Sequence, residues 1–221
     1  MIEKGIFFLP LVEEFFKNIS KYDFNPKAQK KAVSIGTKAE LEEDGSNLAV
    51  VLKKILKNKK REEELFELLK MLLPFVSGLE VKDLDNKSLE FKLKETYFSE
   101  DYVPAFMLSD GTINLVALLV ALYFEEHSIM IIEEPERNIY PYLISRIMDM
   151  FKEVSEEKQI LVTTHHPEIV KHAGVKNLLM VSRTKEGCSK ITKPADKEHV
   201  KAFLASELGI EDLYVQGLLE E

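Results

Sequence analysis

The chain has no tryptophan and only one cysteine, Cys188, in 221 residues. A single cysteine excludes an intramolecular disulfide framework and a zinc site built from several cysteines, and it is typical of a reducing compartment. Long apolar runs are also missing, since the longest, residues 115–124, is far shorter than the roughly 20 residues that span a bilayer. We therefore expect a cytoplasmic protein that has no membrane partner.

A positive net charge is lacking as well, because 38 acidic residues against 30 basic ones give a formal net charge of −8. This negative net charge argues against a protein whose whole surface binds nucleic acid. The densest basic cluster, within 53–61, is followed at once by glutamates at 62–64, which is typical of a solvated helix surface. DNA is a possible partner only through a local patch of this kind.

The sequence also lacks the phosphate loop GxxxxGK[ST], whose backbone N–H groups and lysine grip the phosphates of a nucleotide. Gly36, Thr37 and Lys38 are no substitute, because they lack the first glycine at the right spacing and the strand–loop–helix context. A nucleotide-binding role would therefore need phosphate contacts from residues that are not in this sequence.

Apolar spacing divides the chain into a helical first part and a later part in which strands and helices alternate. In the first part we predict helices over 9–19, 47–56 and 62–75, a loop or poorly ordered arm over 22–46, and a strand pair over 79–98 that turns at 85–87. Ser46 or Asn47 is suited to cap the second of these helices.

From Val103 onward the predicted order becomes that of a βα protein. We predict strands at 129–132, 159–163 and 177–181, helices at 113–124, 141–154 and 168–172, an edge strand at 189–192, and terminal helices at 196–208 and 211–219. Strands that alternate with helices predict an α/β fold with a parallel sheet flanked by helices.

Two adjacent carboxylates, Glu133 and Glu134, follow the apolar strand predicted at 129–132. The C-terminal ends of parallel strands are where open α/β sheets bind ligands. One carboxylate there can hold Mg²⁺ on nucleotide phosphates, and a second can orient or deprotonate the attacking water. Taken alone, EEPE is explained equally well as an acidic junction between a strand and a loop.

A histidine, His165, follows the next predicted strand and leaves the sheet at the same edge. Its imidazole is suited to contact a γ-phosphate or the attacking water, although a packed or capping histidine is the commoner role in such a setting. The neighbouring His166 is expected to point elsewhere, since successive side chains of an extended chain leave on opposite faces.

The segment LSDGT, 108–112, precedes the most hydrophobic helix of the chain. Ser109, Asp110 and Thr112 are good helix caps, and Gly111 permits a close backbone approach. By itself the segment indicates a capped helix start. The free N–H groups of the helix and the Ser109 hydroxyl would also form a site for a phosphate.

Taken in order, LSDGT, IMIIEEPERNIYP and LVTTHHPE resemble the C-terminal part of an ABC-type ATPase of the RecF/SMC-like branch, which includes AAA-family ATP-binding proteins. The resemblance implies a P-loop NTPase fold without its phosphate-loop lobe, with ATP and Mg²⁺ as cofactors. It also implies three segments: a helical, lid-like part with a strand pair over 1–105, an ATPase lobe over 106–195 and C-terminal helices over 196–221.

The same resemblance implies roles for the residues at the strand ends. Glu133 corresponds to the Walker B acid at the metal, Glu134 to the catalytic carboxylate, and His165 to the switch histidine. A glutamate at the first of these positions is familiar in this branch, and its length suits a contact with the metal through water.

Two further groups of residues are implied to face a second protomer. The signature motif contacts a γ-phosphate that the other protomer holds, and the D-loop lies beside it. The signature motif comprises Ser109, Asp110, Gly111 and Thr112. The D-loop residues are Arg137 and Asn138. The implied partner is a lobe, or the other subunit of a homo- or heterodimer, that carries the phosphate loop.

The sequence departs from the family pattern at two places. Asp110 stands where LSGGQ has a glycine, so its carboxylate should point outward, and Tyr140 occupies a position often filled by histidine. Two other functions stay open: a noncatalytic regulatory or assembly module derived from such an ATPase, and a metal hydrolase that uses Glu133, Glu134 and His165 without an HExxH motif.

We expect the purified chain alone to show no ATP turnover above background. The reason is that phosphate-loop contacts are needed both to bind the nucleotide and to stabilise its charge in the transition state. A phosphate-release assay with ATP and Mg²⁺ measures this directly. Robust turnover that disappears in Glu134→Gln would contradict the expectation.

Overall fold

The computed structural model describes residues 16–97, 101–205 and 209–219. These residues form two compact units. The first comprises the described residues up to Tyr140 together with Met150–Thr163, and the second comprises Pro141–Asp149 together with the described residues from Thr164 onward. No helix in the described ranges is long and apolar enough to cross a membrane.

Strands and helices are interspersed along the described residues, with consecutive strands over 76–104 and 180–192. The strands are β1 Ile19–Tyr22, β2 Val33–Ser34, β3 Val76–Leu84, β4 Ser88–Glu95, β5 Val103–Pro104, β6 Ile129–Glu133, β7 Gln159–Thr163, β8 Met180–Arg183 and β9 Ser189–Thr192. The helices are α1 Pro26–Gln29, α2 Leu48–Leu56, α3 Lys59–Leu72, α4 Asp110–Phe124, α5 Ile144–Val154, α6 Pro167–Ala173, α7 Glu198–Ala205 and α8 Ile210–Val215.

A parallel sheet of order β1-β6-β7 positions the candidate site. β6 is central because its run of apolar residues can be buried, and Met130 and Ile132 are both fully buried. β7 pairs with β6 along its whole length and, among the described residues, has no strand on its other side. Leu161, in the middle of β7, is 41% exposed. The predicted α/β fold with a parallel sheet flanked by helices is confirmed.

The helix α4 is the most buried element of the first unit, as its composition predicts. Nearly all of its residues are buried, and α1, α2 and α3 pack against it. A helix that is apolar all round can only be stable when other elements cover it on several sides. Its N-terminus, directly after Ser109, is therefore fixed in place by the core rather than by the local sequence alone.

A second sheet, antiparallel, is built around the predicted hairpin. β3 and β4 pair over their length and turn at 85–87, where Asp85 and Asn86 both have φ of +54°. Asp and Asn tolerate this left-handed conformation better than other non-glycine residues, which explains the turn. The short strands β2 and β5 both pair antiparallel with β4, β2 at Ser88 and Leu89 and β5 at Lys92 and Leu93.

Two predictions for the first part of the chain are wrong. Ile19 was predicted to end a helix, but it begins β1, which pairs in parallel with β6 from Ile19 beside Ile129 to Tyr22 beside Ile132; residues 9–15 of that predicted helix lie outside the described residues. Four residues without clear alternation give no local strand signal, so this strand is set by its pairing with β6.

The predicted loop over 22–46 is also wrong in part, because it contains the end of β1, the helix α1 and the strand β2. Its irregular portion is held by buried polar side chains. Asn47 donates from Nδ2 to the carbonyls of Lys38 (2.8 Å) and Glu40 (2.7 Å) and accepts from the N–H of Glu42 (2.8 Å). Asn47 occupies the N-cap of α2 but makes no capping bond with its side chain, since these three bonds engage it.

A buried carboxyl group holds the same stretch of this loop. Glu125, 6% exposed at the end of α4, accepts a hydrogen bond from the N–H of Leu41 over 3.1 Å. Burial raises the pKa of the Glu125 carboxyl. The loop is thereby anchored to the core helix.

The strand predicted at 177–181 forms only from Met180 onward, and its expected place in the parallel sheet is wrong. The chain forms a short 3-10 helix, Val175–Asn177, and then β8, which pairs antiparallel with β9 in a two-stranded sheet.

In the second unit the helices α6, α7 and α8 share a small core of Val170, Val200, Ile210, Leu213 and Leu219. The division of the chain at 105 and 195, inferred from the resemblance, stays a prediction.

We expect Asn47→Ala to lower the free energy of unfolding by about 3 kcal/mol, because it leaves two carbonyls and one N–H without their partner. Asn58→Ala is the matched control. Asn58 caps α3 at an exposed position, so its loss should cost about 1 kcal/mol. Urea denaturation followed by circular dichroism compares the two, and equal losses would show that the Asn47 bonds do not hold the loop.

Candidate functional site

The two adjacent carboxylates lie at the C-terminal end of β6, as the sequence predicts. Glu133 is the last residue of β6 and pairs with Thr163, the last residue of β7. Glu134 continues the ladder through its N–H, which donates to the Thr163 carbonyl over 2.9 Å. The side chains of Glu133 and Glu134 are 35% and 38% exposed, so both can reach a ligand outside the sheet edge.

The chain reverses immediately after these residues through a tight turn, 134–138. Glu134 has φ of +41° and Asn138 has φ of +64°, both in the left-handed region. For a glutamate this conformation is rare and strained, and Pro135 restricts it further. The N–H of Arg137 donates to the Glu134 carbonyl over 2.9 Å and closes the turn. Strain of this kind is common where a side chain must point at a ligand.

The guanidinium of Arg137 holds the Glu134 carboxylate. Its Nη2 and Nε lie 2.9 Å and 3.1 Å from Glu134 Oε2, and its Nη1 lies 2.9 Å from Asp23 Oδ1. The hydrogen bond to Glu134 is the foremost cause of the raised pKa of Arg137, and Asp23 adds to it. Arg137 thus joins the turn to the segment directly after β1.

A lysine that the sequence analysis did not single out holds the other carboxylate. Lys21 Nζ lies 3.0 Å from Glu133 Oε1 and 3.0 Å from Glu43 Oε1. Hydrogen bonds to Glu43 and then to Glu133 raise the pKa of Lys21. No motif marks Lys21 or Glu43, and the pairing of β1 with β6 that brings them here was not predicted.

The LSDGT segment forms a capped helix start. Ser109 is the N-cap of α4, and its Oγ accepts from the N–H of Thr112 over 3.0 Å and lies 2.7 Å from Thr112 Oγ1. Asp110 is the first residue of the helix, and its Oδ1 accepts from Lys30 Nζ over 2.5 Å. The side chain of Asp110 is 43% exposed. Lys30, the residue directly after α1, therefore balances the negative charge at this helix N-terminus.

The LSDGT segment and the turn after β6 are in direct contact. A Cβ atom added to Gly111 would lie 2.3 Å from the carbonyl oxygen of Asn138, so only glycine fits there. One helical turn further on, Asn114 Nδ2 donates to the Arg137 carbonyl over 2.9 Å. The structure therefore brings together Ser109–Thr112, Arg137 and Asn138 with the two carboxylates in the first unit.

A cleft of about 1050 Å³ opens beside this contact. Its lining is strongly acidic, with five carboxylates, from Asp23, Glu42, Glu43, Asp44 and Asp110, against the two cations Lys27 and Arg137. A triphosphate carries several negative charges and would be repelled by this lining. The cleft is therefore poorly suited to hold a nucleotide by its phosphates without further positive charge.

The two neighbouring histidines of the second unit differ in their roles. His165 lies two residues beyond β7 and has an exposed side chain. His166 is the N-cap of α6, and its Nδ1 accepts from the N–H of Glu168 over 3.2 Å. The capping role common for a histidine in this setting thus falls to His166.

The carboxylates of Glu133 and Glu134 are the type of ligand that a magnesium ion prefers, but too few such groups lie together to hold the ion by themselves. Carboxylate oxygens are the ligands that Mg²⁺ prefers, and a cationic group, the Lys21 ammonium, already lies against Glu133. Among the described residues, however, no group of three or more His, Cys, Asp or Glu side chains is disposed to hold a metal ion. A metal ion at Glu133 would need ligands from phosphates or water, and a metal hydrolase built on Glu133, Glu134 and His165 gains no support.

Residues 8–171 match a family model described as AAA domain, putative AbiEii toxin, Type IV TA system. No curated protein matches the chain. Among solved structures, one from work on ATP-driven dimerization and DNA-stimulated activation of SMC ATPases is 20% identical, with a TM-score of 0.51 over 72% of this chain and 94% of that one. An SmcHead bound to the C-winged helix domain of ScpA is also 20% identical, with a TM-score of 0.52 over 79% of this chain and 55% of that one. The fold therefore resembles SMC ATPase heads.

We expect Gly111→Ala to lower the free energy of unfolding by about 2 kcal/mol, because the new methyl group overlaps the Asn138 carbonyl and must displace the turn. Gly36→Ala is the control, since a Cβ there meets no atom within 4 Å and its φ is not positive. Urea denaturation measures both. A Gly111→Ala protein as stable as Gly36→Ala would show that the helix start and the turn are not in close contact.

Proposed function

The chain belongs to the family described as AAA domain, putative AbiEii toxin, Type IV TA system, and on that premise we propose that it supplies half of an ATP-hydrolysing site. The other half, with the phosphate loop, comes from a further lobe or from the other subunit of a homo- or heterodimer. One observation carries the proposal: the LSDGT segment, the turn at 134–138 and the carboxylates of Glu133 and Glu134 meet in one unit.

The two carboxylates have different tasks in this proposal. Glu133 holds Mg²⁺, through water or directly, and the ion when bound neutralises the charge on the phosphates. Glu134 orients the attacking water and accepts its proton. Arg137 engages Glu134 through Oε2 alone, so the second oxygen, Oε1, is the one that accepts the proton while the ion pair is closed.

The LSDGT segment acts on a nucleotide that the partner holds. The N-terminus of α4 offers backbone N–H groups and the positive end of the helix dipole to a γ-phosphate. Gly111 lets another backbone approach closely, and Lys30 offsets the charge of Asp110, which would otherwise repel a phosphate. His165 contributes a contact to the γ-phosphate or to the attacking water.

Two features of the chain support a divided site. The sequence has no phosphate loop, and the cleft beside Asp110 and Arg137 is lined mainly by carboxylates. The solved relatives include SMC ATPases described as undergoing ATP-driven dimerization and DNA-stimulated activation. By analogy with these SMC ATPases, we propose that this chain binds its partner in a nucleotide-dependent way. We also propose that the chain works in the cytoplasm.

A noncatalytic module is the second candidate. The observation that favours it is the ion pairing of both carboxylates, Glu133 with Lys21 and Glu134 with Arg137. In this state one oxygen of each carboxylate, Oε1 of Glu133 and Oε2 of Glu134, is held by a cation of the same chain. A module that has lost catalysis would keep these pairs as structural contacts throughout its working cycle.

We expect Glu134→Gln to lower kcat about 100-fold or more in a complex of this chain with its phosphate-loop-bearing lobe or subunit, because the amide cannot accept the proton. The partner is sought first in the coding sequence directly upstream, and co-expression gives the complex. Glu126→Gln is the matched control, since the Glu126 side chain is 92% exposed and pairs weakly with Arg61. Phosphate release under saturating ATP measures kcat for all three proteins.

The two candidate functions give opposite results in this assay. If Glu134→Gln and Glu126→Gln turn over ATP at the rate of the unchanged complex, the chain is a noncatalytic module and the proposal fails. Nucleotide binding, measured separately with a fluorescent ATP analogue, should be retained in Glu134→Gln. A loss of binding would mean that the variant had damaged the site rather than removed a base.

A further inference from the structure

One face of the β8–β9 hairpin exposes apolar side chains. Val181 and Ile191 pair across the two strands and are 64% and 66% exposed. Leu179, which precedes β8 by one residue, is 56% exposed. Since side chains two positions apart in an extended chain point to the same side, Leu179 extends the face that Val181 and Ile191 form. These three aliphatic side chains define the outward face of the hairpin.

The opposite face of the hairpin packs against the second unit. Met180 lies against the small core that α6, α7 and α8 share, and both Met180 and its cross-strand partner Thr192 are partly buried. An antiparallel sheet with one covered face normally carries polar residues on the other. Val181 and Ile191 depart from this pattern, and they lie on the side away from that core. The outward face is therefore apolar for a reason other than packing within the hairpin.

Positive charge surrounds the outward face. Residues 174–193 contain five basic residues and one acidic residue, in a chain whose net charge is −8. Arg183 and Lys193 lie at opposite ends of the outward face, two positions after Val181 and Ile191 respectively on antiparallel strands. All five basic side chains are exposed, and none forms an ion pair with another described residue. They are Lys176, Arg183, Lys185, Lys190 and Lys193.

An apolar centre with cations at its ends fits an acidic protein surface better than a nucleic acid. Burial of the aliphatic side chains favours association, and unpaired cations at the rim select carboxylates on the partner. Residues 174–193 contain no aromatic side chain, so the outward face lacks the stacking platform that single-stranded nucleic acids use. Aliphatic side chains also gain nothing against a phosphate backbone. A second copy of the hairpin would bring like charges together.

We propose that the outward face of the β8–β9 hairpin is a docking surface for an amphipathic segment of another protein, apolar along its middle and acidic at both ends. Arg183 and Lys193 lie about four strand positions apart, which is about 13 Å. The matching carboxylates are therefore about four residues apart in an extended segment or about nine apart in a helix. The inference goes beyond the proposed ATP site and uses none of its residues.

The test selects a phage-displayed library of random dodecapeptides on the immobilised full chain. Binders of other surfaces are removed beforehand on the Val181→Thr/Ile191→Thr variant, which keeps a β-branched side chain at both positions and so preserves the strands. The peptides that remain should be enriched about twofold in Asp and Glu relative to the unselected library, and depleted in Lys and Arg.

Synthetic copies of the selected peptides are then titrated with each protein by fluorescence polarisation. Arg183→Glu/Lys193→Glu should weaken binding about tenfold or more, because it reverses both charges at the ends of the face. Val215→Thr and Lys60→Glu are the matched controls and should bind like the unchanged chain. Val215 is 69% exposed at the end of α8, and Lys60 is an exposed cation of α3. Circular dichroism confirms that each variant is folded.

Three results would overturn the inference: no peptide survives the subtraction, the survivors show no excess of acidic residues, or a control weakens binding as much as the charge reversal does. A short DNA duplex and vesicles of phosphatidylcholine with phosphatidylserine are titrated alongside. If either binds more tightly than the peptides and is released by Arg183→Glu/Lys193→Glu, the surface belongs to a nucleic acid or a membrane, and the inference also fails.

Discussion

The pairing of β6 with β1 on one side and β7 on the other is the constraint on which the candidate site depends. Parallel strands end at the same edge, so the side chains that follow them converge. Glu133 meets Lys21 from β1, and the Glu134 N–H meets the Thr163 carbonyl from β7. The strained conformation of Glu134 persists because this ladder, the turn and the buried helix α4 together determine it.

The electrostatics of the site follow from the same arrangement. Carboxylates outnumber cations there, yet those of Glu133, Glu134 and Asp110 each lie against a basic side chain of the same chain. These pairs are exposed enough to exchange with water and ions, and each contributes little to stability by itself. The site is in this way stable without a ligand and still able to accept one.

The sequence allows the local part of the structure to be predicted and leaves out the part set by distant contacts. The strand β6, the helix α4 and the hairpin of β3 and β4 each carry a strong local signal, either an apolar run or an Asp-Asn turn. β1 carries none, because its conformation comes from the ladder with a strand more than a hundred residues later. The ordered loop before α2 depends on Asn47, whose short side chain looked like an ordinary cap.

At the candidate site, too, the sequence predicts local features but not contacts between distant parts of the chain. The motifs identified Glu133, Glu134 and Gly111, and the contact of Gly111 with Asn138 gives a physical reason for the glycine. The pairs of Lys21 with Glu133 and of Arg137 with Asp23 could not be predicted, since they depend on where β1 and the segment directly after it lie. A short motif carries the chemistry of a site, whereas its charge balance depends on residues that only the fold brings close.

The outer edge of β7 has a consequence for handling the protein. Its backbone groups on that side have no strand partner among the described residues, and Leu161 is 41% exposed. An unpaired edge with exposed apolar side chains is a template for strands of other molecules, including identical ones. The edge of β7 is thus a place where a strand of another molecule can pair, and a partner that covers it would close this route to aggregation.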